Sequence, residues 1–247
     1  QTTGALCNVS FENDAQRVKL GELGACELFC RVCKACDGNM AGHQRTLEQA
    51  CAVLGNVAKK NRTNRIKIGK ARGPEALAGV LMRLVKSGGG ADVEPVAMQA
   101  LRAIGNILMR CDDNQEDFAD AGGCKPLVQY CFGARGDAML RRVLVTMLAL
   151  AGHETVRYRL VKDGAIAAAA AVASNSFATE ETKEVARKLQ GMLPLPAPVV
   201  GCKMLAERGE EVMVETGSGR WVRTVETRMC AEAGAATIIS KTFAQGL

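Results

Sequence analysis

Aromatic side chains are scarce in this 247-residue chain: they make up 4% of it, with one tryptophan, Trp221. The core therefore falls to Leu, Val, Ile, Met, Ala and Cys, of which Ala and Leu favour helix. Proline is as sparse, with 6 residues, three of them inside residues 194–198. The 2 histidines, His43 and His153, have no paired ligand nearby in sequence, so neither is given a role. Apolar runs are short, and residues 164–173, the longest candidate, are mostly Ala. A bilayer span needs ~18 or more such residues, so no transmembrane segment is expected. Charge asymmetry is also slight: a net charge of +6 falls short of a dedicated nucleic-acid binder. There is no Gly-rich phosphate loop after a strand, no Gly-x-Ser-x-Gly and no metal-binding His pair. Ser218 between Gly217 and Gly219 reads as a turn. No catalytic residue, metal ligand or cofactor is expected.

Hydrophobic residues reach 48% of the chain, enough for a continuous core. The 11 cysteines are odd in number, in a chain far longer than a disulfide mini-domain. Both facts favour reduced thiols in an intracellular compartment, either cytoplasmic or organellar. The chain opens at Gln1 rather than Met, so a segment upstream, such as a targeting peptide, is expected to be missing from it.

An internal repeat organises the rest. Gln49-Ala50-Cys51-Ala52-Val53-Leu54-Gly55-Asn56 returns fifty residues on as Gln99-Ala100-Leu101-Arg102-Ala103-Ile104-Gly105-Asn106. The same offset carries Asn64 onto Asn114, Ile68 onto Phe118, Gly73 onto Gly123 and Leu77 onto Leu127. Upstream, Asn8 precedes Leu20-Gly21 as Asn56 precedes Ile68-Gly69. Downstream the offset shortens to 42, taking residues 118–122 onto residues 160–164 and Asn106 onto Leu148. Each unit reads as a short helix ending at Gly, a second helix, and a longer third helix. In the second helix Leu77, Val80, Leu81 and Leu84 fall on one face. Loops of different length precede the third helix, at residues 37–39, 87–90 and 133–136.

These motifs, A-x-x-x-L-G/S-N on the third helix, then N-x-x-x-I/F, then A-G-G/A-x-x-x-L, resemble the armadillo repeat family. The resemblance implies an all-α, right-handed α-solenoid of three-helix repeats over residues 1–193, with about four repeats and a partial N-terminal one. HEAT repeats are the second choice, because they lack the Gly-Asn of the third helix. In armadillo proteins the third-helix Asn lines a concave groove and hydrogen-bonds the backbone of an extended peptide, a task for which an amide offers both donor and acceptor. The resemblance thus assigns partner binding to Asn8, Asn56 and Asn106, followed by Leu148 and Gly191, where the ladder is lost. The alternative is that these amides bond within the array. In the importin-like branch a Trp stands one turn before each Asn. Here those positions hold Gly4, Ala52, Arg102 and Leu144, so binding of nuclear signals is not expected and Arg102 would repel a basic ligand.

Two clusters invite sharper readings. Cys26, Cys30, Cys33 and Cys36 have spacings seen in zinc and iron–sulfur loops, but on a helix the first three make one apolar stripe, and core packing is preferred. Residues 59–72 hold seven basic side chains and no acid, while residues 111–124, one repeat later, hold Asp112, Asp113, Glu116, Asp117 and Asp120 and no base. Complementarity between neighbouring repeats is preferred to a nucleic-acid surface.

Residues 194–198 end the helical pattern, since Pro cannot continue a helix. Residues 194–247 form a Pro-rich linker and a docking extension, in which residues 212–216 and 220–225 read as two short strands joined by a Gly turn. A lone hairpin is marginal in water. The extension is therefore expected to cap the last repeat or anchor in a partner, with Trp221 as the anchor. The function expected is a non-catalytic scaffold or structural subunit of a multi-subunit complex. The alternatives are a nucleic-acid-binding solenoid using residues 59–72 and a regulatory subunit of an enzyme.

Overall fold

The computed structural model describes residues 2–11, 13–36, 41–88, 93–132, 136–193, 212–215, 221–232 and 235–242. The chain divides into two compact units, Gln1–Leu193 and Pro194–Leu247. The first is helical throughout its described residues. It begins with α1 (Thr2–Ser10) and continues as four helix triplets: α2 (Asp14–Glu22), α3 (Ala25–Ala35), α4 (Ala41–Ala58); α5 (Arg62–Lys70), α6 (Gly73–Lys86), α7 (Glu94–Leu108); α8 (Asp112–Asp120), α9 (Cys124–Phe132), α10 (Asp137–Leu150); and α11 (Glu154–Lys162), α12 (Ala165–Ala173), α13 (Glu180–Met192). Third helices α1, α4, α7, α10 and α13 pack in sequence on one another, as do second helices α3, α6, α9 and α12. This is the solenoid expected from the repeat.

Local chemistry sets the helix boundaries. The side chains of Asn13 and Asn61 accept the backbone N–H of Gln16 and Asn64, capping α2 and α5. The turn from first to second helix passes through a left-handed residue in each triplet: Gly24, Arg72, Gly122 and Gly164. Three of the four are Gly, the residue that adopts this conformation without strain. The apolar faces then meet in one continuous core running from Leu20 to Leu193. Leu77, Val80, Leu81 and Leu84 are all buried in it, as their spacing requires. Each such side chain contributes roughly 1.5–3 kcal/mol relative to exposure.

A polar ladder crosses this core. Asn64 Nδ2 donates to Val57 O and to Arg17 O of the preceding repeat, both at 2.9 Å. One repeat on, Asn114 Nδ2 donates to Ile107 O and Arg65 O, both at 3.1 Å. Their neighbours act in parallel: Arg17 Nε reaches Ser10 O, Arg65 Nε reaches Ala58 O, and Gln115 Nε2 reaches Leu108 O. Apart from Arg17 O and Arg65 O, which lie in first helices, the targets are the last carbonyls of third helices, which have no partner within the helix. Gly21 and Gly69 make the ladder possible. A Cβ on Gly21 would overlap the carboxamide of Asn64, and one on Gly69 that of Asn114.

The second unit is a three-stranded antiparallel sheet in the order β1-β2-β3, from β1 (Val212–Glu215), β2 (Trp221–Glu232) and β3 (Ala235–Thr242). Val214 pairs with Val222 and Glu215 with Trp221. The two short strands are therefore present, but the second runs on to Glu232 and pairs with a third strand, with a register shift between Thr224 and Thr227. The expected turn at residues 217–219 and the stretch 194–198 lie outside the described residues, as do parts of the loops at 37–39, 87–90 and 133–136.

Candidate partner-binding surface

Asn56 and Asn106 occupy equivalent positions on consecutive third helices, α4 and α7, but their surroundings differ. Asn56 is buried. Its Nδ2 donates to Cys7 O at 3.2 Å and Ser10 Oγ at 3.0 Å, and its Oδ1 accepts Arg102 Nη1 at 3.0 Å. Its amide is thus spent inside the array. Asn106 is half-buried, and its Nδ2 donates to Gly55 O at 2.8 Å. That bond fixes the amide and leaves Oδ1 as an acceptor with no partner among the described residues. Asn8 on α1 is exposed.

Arg102, on α7, is the link between the two. It folds back across α4, with Nε donating to Gln99 Oε1 at 2.9 Å, Nη1 to Asn56 Oδ1, and Nη2 to Ala52 O at 3.3 Å. The small residues below give it room: Ala52 is buried, and a Cβ on Gly55 would lie 3.2 Å from Ala103 Cα. Burial pulls the Arg102 guanidinium below its ordinary range, Cys7 opposes this, and nearby Arg142 and Arg17 add to it. The charge of Arg102 was legible in the sequence. Its hold on Asn56 was not, because it depends on how closely two helices far apart in sequence approach.

The offset of 42 needs correcting on the third helices. Val96, Ala97, Ala100 and Leu101 of α7 are buried, and on α10 the same pattern falls on Met139, Leu140, Val143 and Leu144. The helical phase thus slips by one residue. Ala149, not Leu148, stands where Asn106 does, and Val145, not Leu144, where Arg102 does. On α13 Thr182, Ala186 and Leu189 are buried, with Val185 and Met192 packed against the same core. First helices keep the offset of 42, Asn114 falling on Val156, so the step from third helix to next first helix is one residue shorter at α10–α11 than at α7–α8.

Cys26, Cys30 and Cys33 are buried on one face of α3. Cys26 Sγ and Cys30 Sγ rest on Asn64 O and Ile68 O of the next repeat, and Cys33 Sγ lies 3.9 Å from Cys51 Sγ. Burial pushes the Cys26 thiol up to about 11 and the Cys131 thiol up to about 12, which holds them as neutral thiols. Among the described residues no group of three or more His, Cys, Asp or Glu is placed to hold a metal.

Among the described residues no ion pair joins residues 59–72 to residues 111–124, although Asp117 acts on Arg72 electrostatically. Arg65 Nη1 donates to Met109 O, Lys67 Nζ to Gly21 O, and Arg72 pairs with Glu75 of its own repeat. The acids of α8 pair forward instead: Asp120 with Arg159, and Glu116 with His153 at 3.5 Å. The ion pairs of the acidic helix are therefore with α11, and backbone carbonyls take two of the seven basic side chains. Trp221 lies at the start of β2, paired through its backbone with Glu215.

The stacking of three-helix units defines an armadillo-type solenoid. Solved structures agree: a designed armadillo repeat protein superposes with a TM-score of 0.63 at 21% identity, over 78% of this chain and 74% of that one. Computationally designed armadillo repeat proteins for modular peptide recognition give a TM-score of 0.65 at 21% identity, with the same coverages. An engineered protein gives 0.64 at 19% identity, over 77% of this chain and 43% of that one. At these identities the likeness concerns the fold. No protein-family model and no curated protein matches the chain. No helix among the described residues is long and apolar enough to cross a membrane.

Proposed function

We propose that this chain is a non-catalytic protein-interaction solenoid, which holds an extended segment of a partner on its third-helix layer and serves as a subunit of a larger intracellular assembly. The observation that carries this reading is Asn106: a carboxamide held by Gly55 O, half-buried on the layer, whose acceptor oxygen has no partner among the described residues. Such a group suits a peptide N–H. Designed proteins of this fold made for modular peptide recognition support a peptide as the ligand. Asn8 and Arg102 complete the surface on either side of the filled position at Asn56. The C-terminal sheet is the second point of attachment, anchored through Trp221.

Affinity capture on the full chain tests this, with and without nuclease and with residues 194–247 deleted. A defined set of proteins should co-purify, resist nuclease and depend in part on the C-terminal unit. Loss of the set on nuclease treatment would favour the nucleic-acid reading through exposed Lys59, Lys60, Arg62 and Lys70. If the truncated array instead loses thermal stability, the second unit is a cap rather than an anchor.

A further inference from the structure

A guanidinium removed from water normally sits against a carboxylate, because desolvating a charge without a partner is costly. Arg102 departs from this. It is half-buried, and its three acceptors are an amide oxygen of Gln99, an amide oxygen of Asn56 and the carbonyl of Ala52. All three are neutral. A guanidinium carries five N–H groups, so two remain unused among the described residues. The bonds that are made hold the group in one position, so little side-chain freedom is left to lose on binding.

The neighbourhood strengthens this. Arg142 on the adjacent third helix α10 is exposed, has no ion-pair partner among the described residues and lies within electrostatic reach of Arg102. Arg141 beside it is already paired with Glu181. One helical turn beyond Arg102 on α7, Asn106 is half-buried, its Nδ2 held by Gly55 O and its Oδ1 without a partner among the described residues. This stretch of α7 and α10 therefore offers two uncompensated positive charges next to one hydrogen-bond acceptor.

Resting on the groove reading above, we infer that the α7–α10 stretch of the third-helix layer binds an acidic extended peptide, with a Glu or Asp carboxylate on Arg102 and Arg142 and a neighbouring backbone N–H on Asn106 Oδ1. The pairing of charges and acceptor selects the ligand. A carboxylate answers the guanidinium with a charge-assisted bond, and a peptide supplies the N–H that Asn106 needs. A phosphodiester backbone supplies the charge but no donor. A basic peptide meets repulsion at both arginines.

Fluorescence anisotropy on the full chain tests the inference with three labelled peptides: alternating Glu-Ser, alternating Gln-Ser and alternating Lys-Ser. Glu-Ser should bind at least ~10-fold more tightly than Lys-Ser, weakening as salt is raised. Arg142→Gln is exposed and leaves the fold intact; it should weaken Glu-Ser binding by a few-fold and leave Gln-Ser unchanged. Arg102→Gln should weaken Glu-Ser by ~10-fold or more, with circular dichroism to check that the array stays folded. Equal binding of the three peptides, or an equal loss for all of them in both variants, overturns the acidic specificity while the groove reading stands. If no peptide binds and amide shifts of α7 and α10 stay unmoved, both readings fail. If a single-stranded oligonucleotide binds in an Arg102-dependent way and Glu-Ser does not, the ligand is a nucleic acid and the inference is overturned.

Discussion

At the seams crossed by Asn64 and Asn114, neighbouring repeats are joined by buried amides that bond the ends of third helices, and Gly21 and Gly69 leave space for them. At the last seam the equivalent residues are Val156 and Ala119, both buried. Among the described residues no side chain there hydrogen-bonds back to the end of α10. The joint rests on apolar packing and surface pairs: Arg159 with Asp120, Arg141 with Glu181, and Thr179 with Asp137. One repeat therefore accommodates two solutions to the same problem. Gly and Asn go together because the amide needs room, and Ala and Val go together because a methyl fills it. The pairs change jointly along the chain, each member meaningful only beside the other.

The contrast can be broken by mutation, and the largest effect is expected at Asn114. Asn114→Ala strips a donor from two buried carbonyls and should lower unfolding stability by about 2–4 kcal/mol, measured in urea. A loss below ~0.5 kcal/mol would mean the ladder adds nothing beyond packing.

Gly69→Ala comes next. The added methyl overlaps the Asn114 carboxamide and should cost about 1–3 kcal/mol, although Ala is the better helix former. The double variant Gly69→Ala with Asn114→Val copies the last seam into the middle of the array. It should be more stable than the sum of the single changes by roughly 1 kcal/mol or more, and strict additivity would refute the coupling.

Thr179 accepts the backbone N–H of Thr182 and so caps α13. Thr179→Ala should cost about 1 kcal/mol, visible as a lowered thermal midpoint. Arg159→Ala removes an exposed pair and should cost under ~1 kcal/mol, less in high salt. A larger, salt-insensitive loss would show that the surface pairs hold the last seam.

How much of this was legible follows from what each contact needs. The repeat was visible because Asn and Gly recur at fixed spacing, and those residues are there for reasons of close packing. Asn64 and Asn114 stood out as a recurrence, yet their partners, carbonyls seven and nearly fifty residues away, leave no mark in composition. The one-residue slip at α10 was hidden because an Ala/Leu stripe fits two phases almost equally once its Asn is gone. In the C-terminal unit, Val212–Glu215 holds three apolar residues with two Val and reads as a strand, whereas Ala235–Thr242 mixes Ala, Ser, Lys and Thr with one Ile pair and carries no such signal. Among the proposed site residues, Asn106 and Arg102 were identifiable by position. That Asn56 is filled by Arg102 requires knowing that Gly55 lets two helices touch.

The Gly–Asn ladder also sets how the array responds to a pull. Short hydrogen bonds yield over a fraction of an ångström and then fail at once, whereas apolar surfaces slide while still in contact. Tension applied by a partner at the two ends should therefore leave α2 to α8 rigid and be taken up first between α10 and α11. An optical trap would register this as a soft early extension, and it should disappear when the missing rung is restored by Val156→Asn together with Ala119→Gly.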